Sequence, residues 1–130
     1  LNVHIPEGGR MSPEACRDSY TRAIRFVEQC FPDKPFKAFA CESWLLDARF
    51  RELLPQDSNI VRFQDDYYLL PVLADENQTL ERVFGFGTKL TDLPSLAART
   101  SLQKVVRDHF ASGGKIHNFG GILVKEDAGR

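Results

Sequence analysis

Apolar and polar positions alternate from the first residue: Leu1, Val3 and Ile5 are separated by Asn2 and His4, the period-two pattern of a half-buried strand. Pro6, Glu7, Gly8, Gly9 and Arg10 break it. The period then lengthens. Cys16, Tyr20, Ala23, Ile24, Val27, Cys30 and Phe31 recur at three and four, while Arg17, Asp18, Arg22, Arg25 and Glu28 lie elsewhere, which predicts a long amphipathic helix. Its start has a mechanism: Ser12 can accept a bond from a free backbone N–H, Pro13 loses nothing at the first helical position, and Glu14 faces the positive end of the helix dipole. Pro32 ends it.

Phe36 to Cys41 reads as an inner strand that runs straight into Glu42-Ser43-Trp44-Leu45-Leu46. Asp47 is placed to cap a short helix over Ala48 to Leu54, stopped by Pro55. Ser58-Asn59 is turn chemistry, and Ile60 to Leu73 reads as one or two strands with Asp65-Asp66 at a turn or on an exposed edge. Ala74 to Thr79 reads as a polar loop and Leu80 to Phe84 as a helical turn. Irregular chain follows through Leu93-Pro94. Thr100 and Gln103 form a capping box for a helix that turns Leu102, Val105, Val106 and Phe110 inward, closed by Gly113-Gly114. Ile116 to Lys125 is the last strand, where Gly120-Gly121 predicts a bulge or a close backbone approach. The fold class is therefore α/β or α+β, a mixed sheet with helices packed on it, in one domain over 1–125 with a loose tail at 126–130.

Composition narrows the function classes. The 130 residues carry 17 Lys plus Arg against 18 Asp plus Glu, a net charge of −1. Such a balance gives no electrostatic footprint for nucleic acid or an anionic membrane. No apolar run approaches the ~20 residues of a membrane span, and the first residues lack the pattern of a signal peptide, so a cytoplasmic protein is expected. Leu1 already stands inside an alternating segment. The chain thus looks cut from something longer, and the N-terminal half of the same protein is the expected partner. Three cysteines, Cys16, Cys30 and Cys41, make no disulfide framework and are expected as reduced, buried thiols. His4, His109 and His117 are scattered, so no metal site is expected, and His109 reads as a packed histidine.

Two places can carry chemistry. A glycine-bearing loop between a strand and a helix can aim several N–H groups at an anion such as a pyrophosphate, with Gly8, Gly9, Arg10, Met11 and Ser12 as the binding group. The alternative is an ordinary capped helix start after a tight turn, flanked by Glu7 and Glu14. The second place is the end of the second strand, where ligands of open α/β sheets collect. Glu42 there is a candidate general base, with Ser43 as a donor and Trp44 as an apolar wall. The alternative buries Trp44 with Leu45 and Leu46 and leaves Glu42 in solvent. Tyr67 and Tyr68 offer an acid, but strand neighbours face opposite ways, so only one can serve a given cleft. His4 can shuttle a proton if it lines that cleft.

Val3-His4-Ile5-Pro6-Glu7-Gly8-Gly9, Ser12-Pro13-Glu14-Ala15-Cys16, Ser43-Trp44-Leu45-Leu46-Asp47, Ser58-Asn59-Ile60 and Thr100-Ser101-Leu102-Gln103 together resemble the C-terminal domain of bacterial GNAT-like acyltransferase-domain proteins. The resemblance runs through nearly the whole chain. It implies a GNAT-like sheet in which Leu1 to Ile5 precedes the cofactor-binding helix and that helix presents its N-terminus to the pyrophosphate of an acyl-CoA. It also implies that Phe36 to Cys41 splays away to admit the pantetheine arm. The implied activity is acyl transfer to an amine of a small-molecule substrate; the family often has His where this chain has Glu42, so Glu42 as base and Tyr67 or Tyr68 as acid stay candidates read from the residues themselves. The loop departs from the family's Gln or Arg, two residues, Gly, one residue, Gly or Ala: Gly8-Gly9-Arg10 is compressed and flanked by acids. This keeps a second reading open, a non-catalytic docking or sensing module that has lost the cofactor site. A hydrolase built on Ser43 would need the flanking glycines of a nucleophile elbow, which Glu42-Ser43-Trp44 lacks.

Overall fold

The computed structural model describes residues 1–6, 8–9, 11–73 and 76–128. Helix α1 (Pro13–Cys30) starts as its sequence predicts: Pro13 sits in the first turn and the Ser12 hydroxyl accepts from the Ala15 N–H at 3.2 Å. Strand β1 (Ala38–Ser43) follows and buries Phe39, Cys41 and Ser43 on one face. A buried 3-10 turn (Trp44–Leu46) leads to α2 (Phe50–Leu53), α3 (Asn59–Asp65) and β2 (Tyr68–Pro71). The chain ends through α4 (Glu76–Phe84), a 3-10 segment (Leu90–Ser95), α5 (Ser101–Ala111) and β3 (Phe119–Val124).

The sheet order is β1-β3-β2, with both pairings antiparallel. Leu1 to Val3 lies on the free edge of β1 in the parallel sense, bridged at Asn2–Ala40, so the sheet is mixed as expected. Helix α1 covers one face. Tyr20 packs on Phe39 with ring centroids 5.2 Å apart, in a cluster with Cys41, Leu46, Phe63, Tyr67 and Leu123. A second cluster, built on Trp44, Leu45, Phe50, Leu80, Val106 and Phe110, joins α2, α4 and α5 beside the sheet. The other sheet face carries Ala38, Ala40 and Glu42, then Ile122 and Val124, then Tyr68 and Leu70, and its side chains are half-buried or exposed.

Asp47 ties these parts together. Its carboxylate accepts from the Arg49 N–H at 2.9 Å and from the His117 N–H at 2.7 Å, fastening the exit of β1 to the segment that enters β3. The Gln64 amide of α3 donates to the carbonyls of Leu45 at 2.7 Å and Asp47 at 2.9 Å.

Several expectations change. Residues 60–65 form a helix rather than a strand, because Ser58 caps α3 by accepting from the Val61 N–H at 3.3 Å and Gln64 is held by tertiary bonds. Strand is confined to Tyr68–Pro71 within that stretch. The polar loop expected through Thr79 is already helix from Glu76, with Thr79 and Leu80 buried. Residues 126–128 make a hydrogen-bonded turn whose Ala128 is buried in the core, and the last two residues of the expected tail lie outside the described residues. Cys30 is exposed, not buried.

Gly120-Gly121 makes no bulge, since β3 pairs residue for residue with both neighbours. The close approach is real: a Cβ at Gly121 would stand 2.8 Å from the Tyr67 ring and 2.9 Å from the Leu46 side chain. At Gly120 the nearest atoms, at 3.0 Å and beyond, belong to the side chains of Val72 and Leu70 on the open face. Gly121→Ala is therefore expected to destabilise by about 1–3 kcal/mol and Gly120→Ala by clearly less, measured as midpoints in denaturant unfolding.

Candidate functional site

The edge pairing next to β1 is short. The Leu1 nitrogen donates to the Ala38 carbonyl at 2.8 Å, the Ala40 N–H to the Leu1 carbonyl at 2.8 Å, and the Val3 N–H to the Ala40 carbonyl at 2.8 Å. Past that bond no backbone hydrogen bond joins the two segments among the described residues. They separate where the strands would continue. Asn2–Ala40 is the bridge between them, and past it no pairing among the described residues sets His4 against Glu42.

Between the edge segment and the start of α1 lies a cavity of about 170 Å³. Val3, His4, Ile5 and Gly9 line it from the edge segment and loop, Met11, Ala15, Cys16 and Tyr20 from the start of α1, and Phe63 from α3. Its walls are mainly apolar. Val3 and Ile5 alternate inward with the strand pattern, and Cys16 and Tyr20 are one helical turn apart on the buried stripe of α1.

The helix end itself is largely satisfied. Pro13 has no N–H, the Ala15 N–H is taken by the Ser12 hydroxyl, and the Cys16 N–H donates to the Ser12 carbonyl at 3.0 Å. The Glu14 carboxyl is held below its ordinary range, chiefly by its own backbone N–H and then by the Ser12 hydroxyl. Ser12 is thus a helix cap rather than a free anion contact. Gly8, with φ +80, turns the loop, and the N–H groups of Gly8, Gly9 and Met11 make no hydrogen bond among the described residues. Arg10 and Glu7 lie outside the described residues.

The candidate chemical groups part company. Glu42 is exposed on the open face, opposite Gly120, and Trp44 is buried against Phe50, so Trp44 is core and not a wall for that carboxylate. Ser43 is also used internally, its hydroxyl accepting from the Leu45 N–H at 3.2 Å. Tyr68 is 69% exposed and shares the face of Glu42. Tyr67 points the other way, into the core, where its hydroxyl meets that of Tyr20 at 2.9 Å. His4 is exposed and lines the cavity. Asp65 is paired with Arg51 at 2.7 Å, and burial holds the Asp66 carboxyl above its ordinary range. Sequence reasoning missed Tyr20 as a cavity residue, because a tyrosine on an amphipathic stripe reads as core; the clue was its place two turns after the glycine loop.

The model of the family described as GNAT-like C-terminal domain matches residues 1–123. The chain belongs to that family. Among solved structures, the GNAT-like domain is similar to an acyltransferase in complex with decanoyl-CoA, at 33% identity and a TM-score of 0.81 over 94% of this chain and 39% of that one. It is similar to an acyltransferase in complex with CoA and 10C-teicoplanin, at 30% identity and a TM-score of 0.82 over 95% and 40% of the two chains. A mutant acyltransferase in complex with octanoyl-CoA matches at 29% identity and a TM-score of 0.81. The chain spans about two-fifths of the length of these structures. A search of the curated proteins found no match. Among the described residues no helix is long and apolar enough to cross a membrane.

The three thiols sit in graded surroundings. Cys30 is exposed, Cys16 lines the cavity with its thiol raised above the ordinary value chiefly by burial, and burial pushes the Cys41 thiol up to about 11. Maleimide labelling followed by mass spectrometry is expected to modify Cys30 first and Cys16 more slowly, leaving Cys41 untouched until the protein unfolds.

Proposed function

We propose that the GNAT-like domain is the coenzyme-binding part of an N-acyltransferase that takes an acyl-CoA. The observation that carries this reading is the mainly apolar cavity between residues 3–6 and the start of α1, beside a glycine turn whose Gly8, Gly9 and Met11 N–H groups make no hydrogen bond among the described residues. The residues fit the ligand by chemistry. Gly8, Gly9 and Met11 offer backbone donors to the pyrophosphate, with Arg10 adding a positive charge, and the walls formed by Val3, Ile5, Met11 and Phe63 suit the pantetheine arm. The complexes of the similar acyltransferases with CoA, decanoyl-CoA and octanoyl-CoA support the same ligand class.

The bound thioester supplies an activated acyl carbonyl. The chain's own residues handle the acceptor, which approaches from the open sheet face. Glu42 accepts a proton from the acceptor amine, directly or through a water, and thereby makes nitrogen a nucleophile. His4, which lines the cavity, relays that proton to solvent. Of the two tyrosines only Tyr68 is on this face, and it stands on β2, two strands from β1, so the proton for the departing sulfur comes from solvent or from the acceptor amine, while Tyr67 is turned into the core. The acceptor side is completed by the N-terminal half of the same protein, and the small apolar residues Ala38 and Ala40 give that half a flat floor.

Calorimetric titration with CoA tests the cofactor reading. Binding is expected, and Ala15→Phe, at an exposed position on the cavity wall, is expected to abolish it while the fold is kept. CoA should also slow labelling of Cys16 without affecting Cys30. Absence of heat at millimolar CoA would favour the docking module. For the chemistry, Glu42→Gln is expected to lower kcat/KM for transfer to an amine by about 100-fold or more while the Kd for CoA stays unchanged. An unaltered rate would remove Glu42 from the reaction.

A further inference from the structure

Among the described residues the Tyr20–Tyr67 pair joins two side-chain hydroxyls, and its Tyr20 member sits at the wall of the cavity. The two phenols hold two protons, and the 2.9 Å bond between them uses one. Tyr20 lines the cavity and Tyr67 does not. If Tyr20 donated to Tyr67, the remaining proton would belong to Tyr67, which does not line the cavity and has no further acceptor among the described residues. The opposite sense satisfies both donors as soon as an acceptor enters the cavity, since a buried donor left unpaired is costly. Burial holds both phenols well above their ordinary range, so neither ionises at working pH and Tyr20 remains a donor throughout.

The position of Tyr20 says what it can meet. It stands seven residues after Pro13, about 10 Å down the helix from the end beside the glycine loop. A pantetheine arm running inward from that loop brings amide carbonyls to such a depth, and an acyl thioester adds one more carbonyl at its end. Cys16, Phe63 and Ile5 surround the place with apolar surface, where a single donor has the most effect.

We propose that Tyr20, oriented by Tyr67, donates a hydrogen bond to a carbonyl oxygen of the acylated pantetheine arm, with Tyr67 as the positioning residue. This rests on the reading that acyl-CoA occupies the cavity. The test measures Kd for CoA and for decanoyl-CoA alongside thermal unfolding, for the parent protein and the variants Tyr20→Phe, Tyr67→Phe and Tyr20→Phe/Tyr67→Phe. Tyr20→Phe is expected to weaken binding about three- to tenfold, for both ligands when the partner is an amide carbonyl and for decanoyl-CoA alone when it is the thioester. Tyr67→Phe should weaken the same ligands by a smaller factor. The double variant separates the roles: it removes the orphaned hydroxyl and recovers stability relative to Tyr20→Phe, yet its affinity stays low. Tyr20→Phe binding both ligands as tightly as the parent protein would overturn the proposal, whatever its melting temperature. A parent protein that binds neither ligand would instead overturn the cofactor reading.

Discussion

The candidate site depends on one run of backbone hydrogen bonds that stops early. Leu1 to Val3 pairs with Ala38 to Ala40 through three bonds of 2.8 Å, and the two segments then part. A strand that leaves its neighbour inside a protein exposes N–H and C=O groups that must find other partners. Here His4, Ile5, Pro6 and Gly9 border a cavity. Pro6, which has no N–H to pair, and Gly8, with φ +80, follow the point where the pairing stops.

That arrangement needs the rest of β1 to stay in place without help from its edge. Asp47 and Gln64 provide this from the opposite side. One buried carboxylate holds the His117 N–H, and one buried amide holds the carbonyls of Leu45 and Asp47, so the exit of β1, the entry to β3 and helix α3 move as a unit. Removing either partner from such a cluster leaves a buried polar group unpaired, a much larger loss than a surface pair would cost. The phenol of Tyr67 then reaches Tyr20 because Gly121 lets its ring lie against the backbone of β3. Packing on the sheet's covered face and the wall of the cavity are therefore set by the same glycine.

The sequence was most legible where local chemistry and tertiary packing agree. Ser12-Pro13-Glu14 and Thr100 with Gln103 carry their caps in the chain itself, and both helices begin where those residues say. Residues 60–65 were illegible for a physical reason. Ile60, Val61 and Phe63 are β-branched or aromatic and suit a strand, and the helix wins through the Ser58 cap and the burial of Gln64 against carbonyls 17 and 19 residues away. The site was half legible. His4 and Gly9 line one cavity, whereas Glu42 stands exposed on the open sheet face outside that lining. Tyr67 and Tyr68, adjacent in sequence, fall on opposite faces, and sequence could say that only one would serve without saying which.

The balance of charge sharpens what an anionic ligand would meet. A net charge of −1 leaves no general field to draw a pyrophosphate in, so attraction has to be local. At the start of α1 the local charges nearly cancel: Glu14 stands 3.6 Å from Arg17, both at the surface, and also feels Arg62. Ser12 and Glu14 already occupy donors that a helix terminus would otherwise offer. Orientation at this end therefore falls to the loop N–H groups of Gly8, Gly9 and Met11, while the mainly apolar cavity wall supplies the attraction that does not depend on charge. A ligand held in this way depends little on salt and strongly on the fit of its uncharged arm.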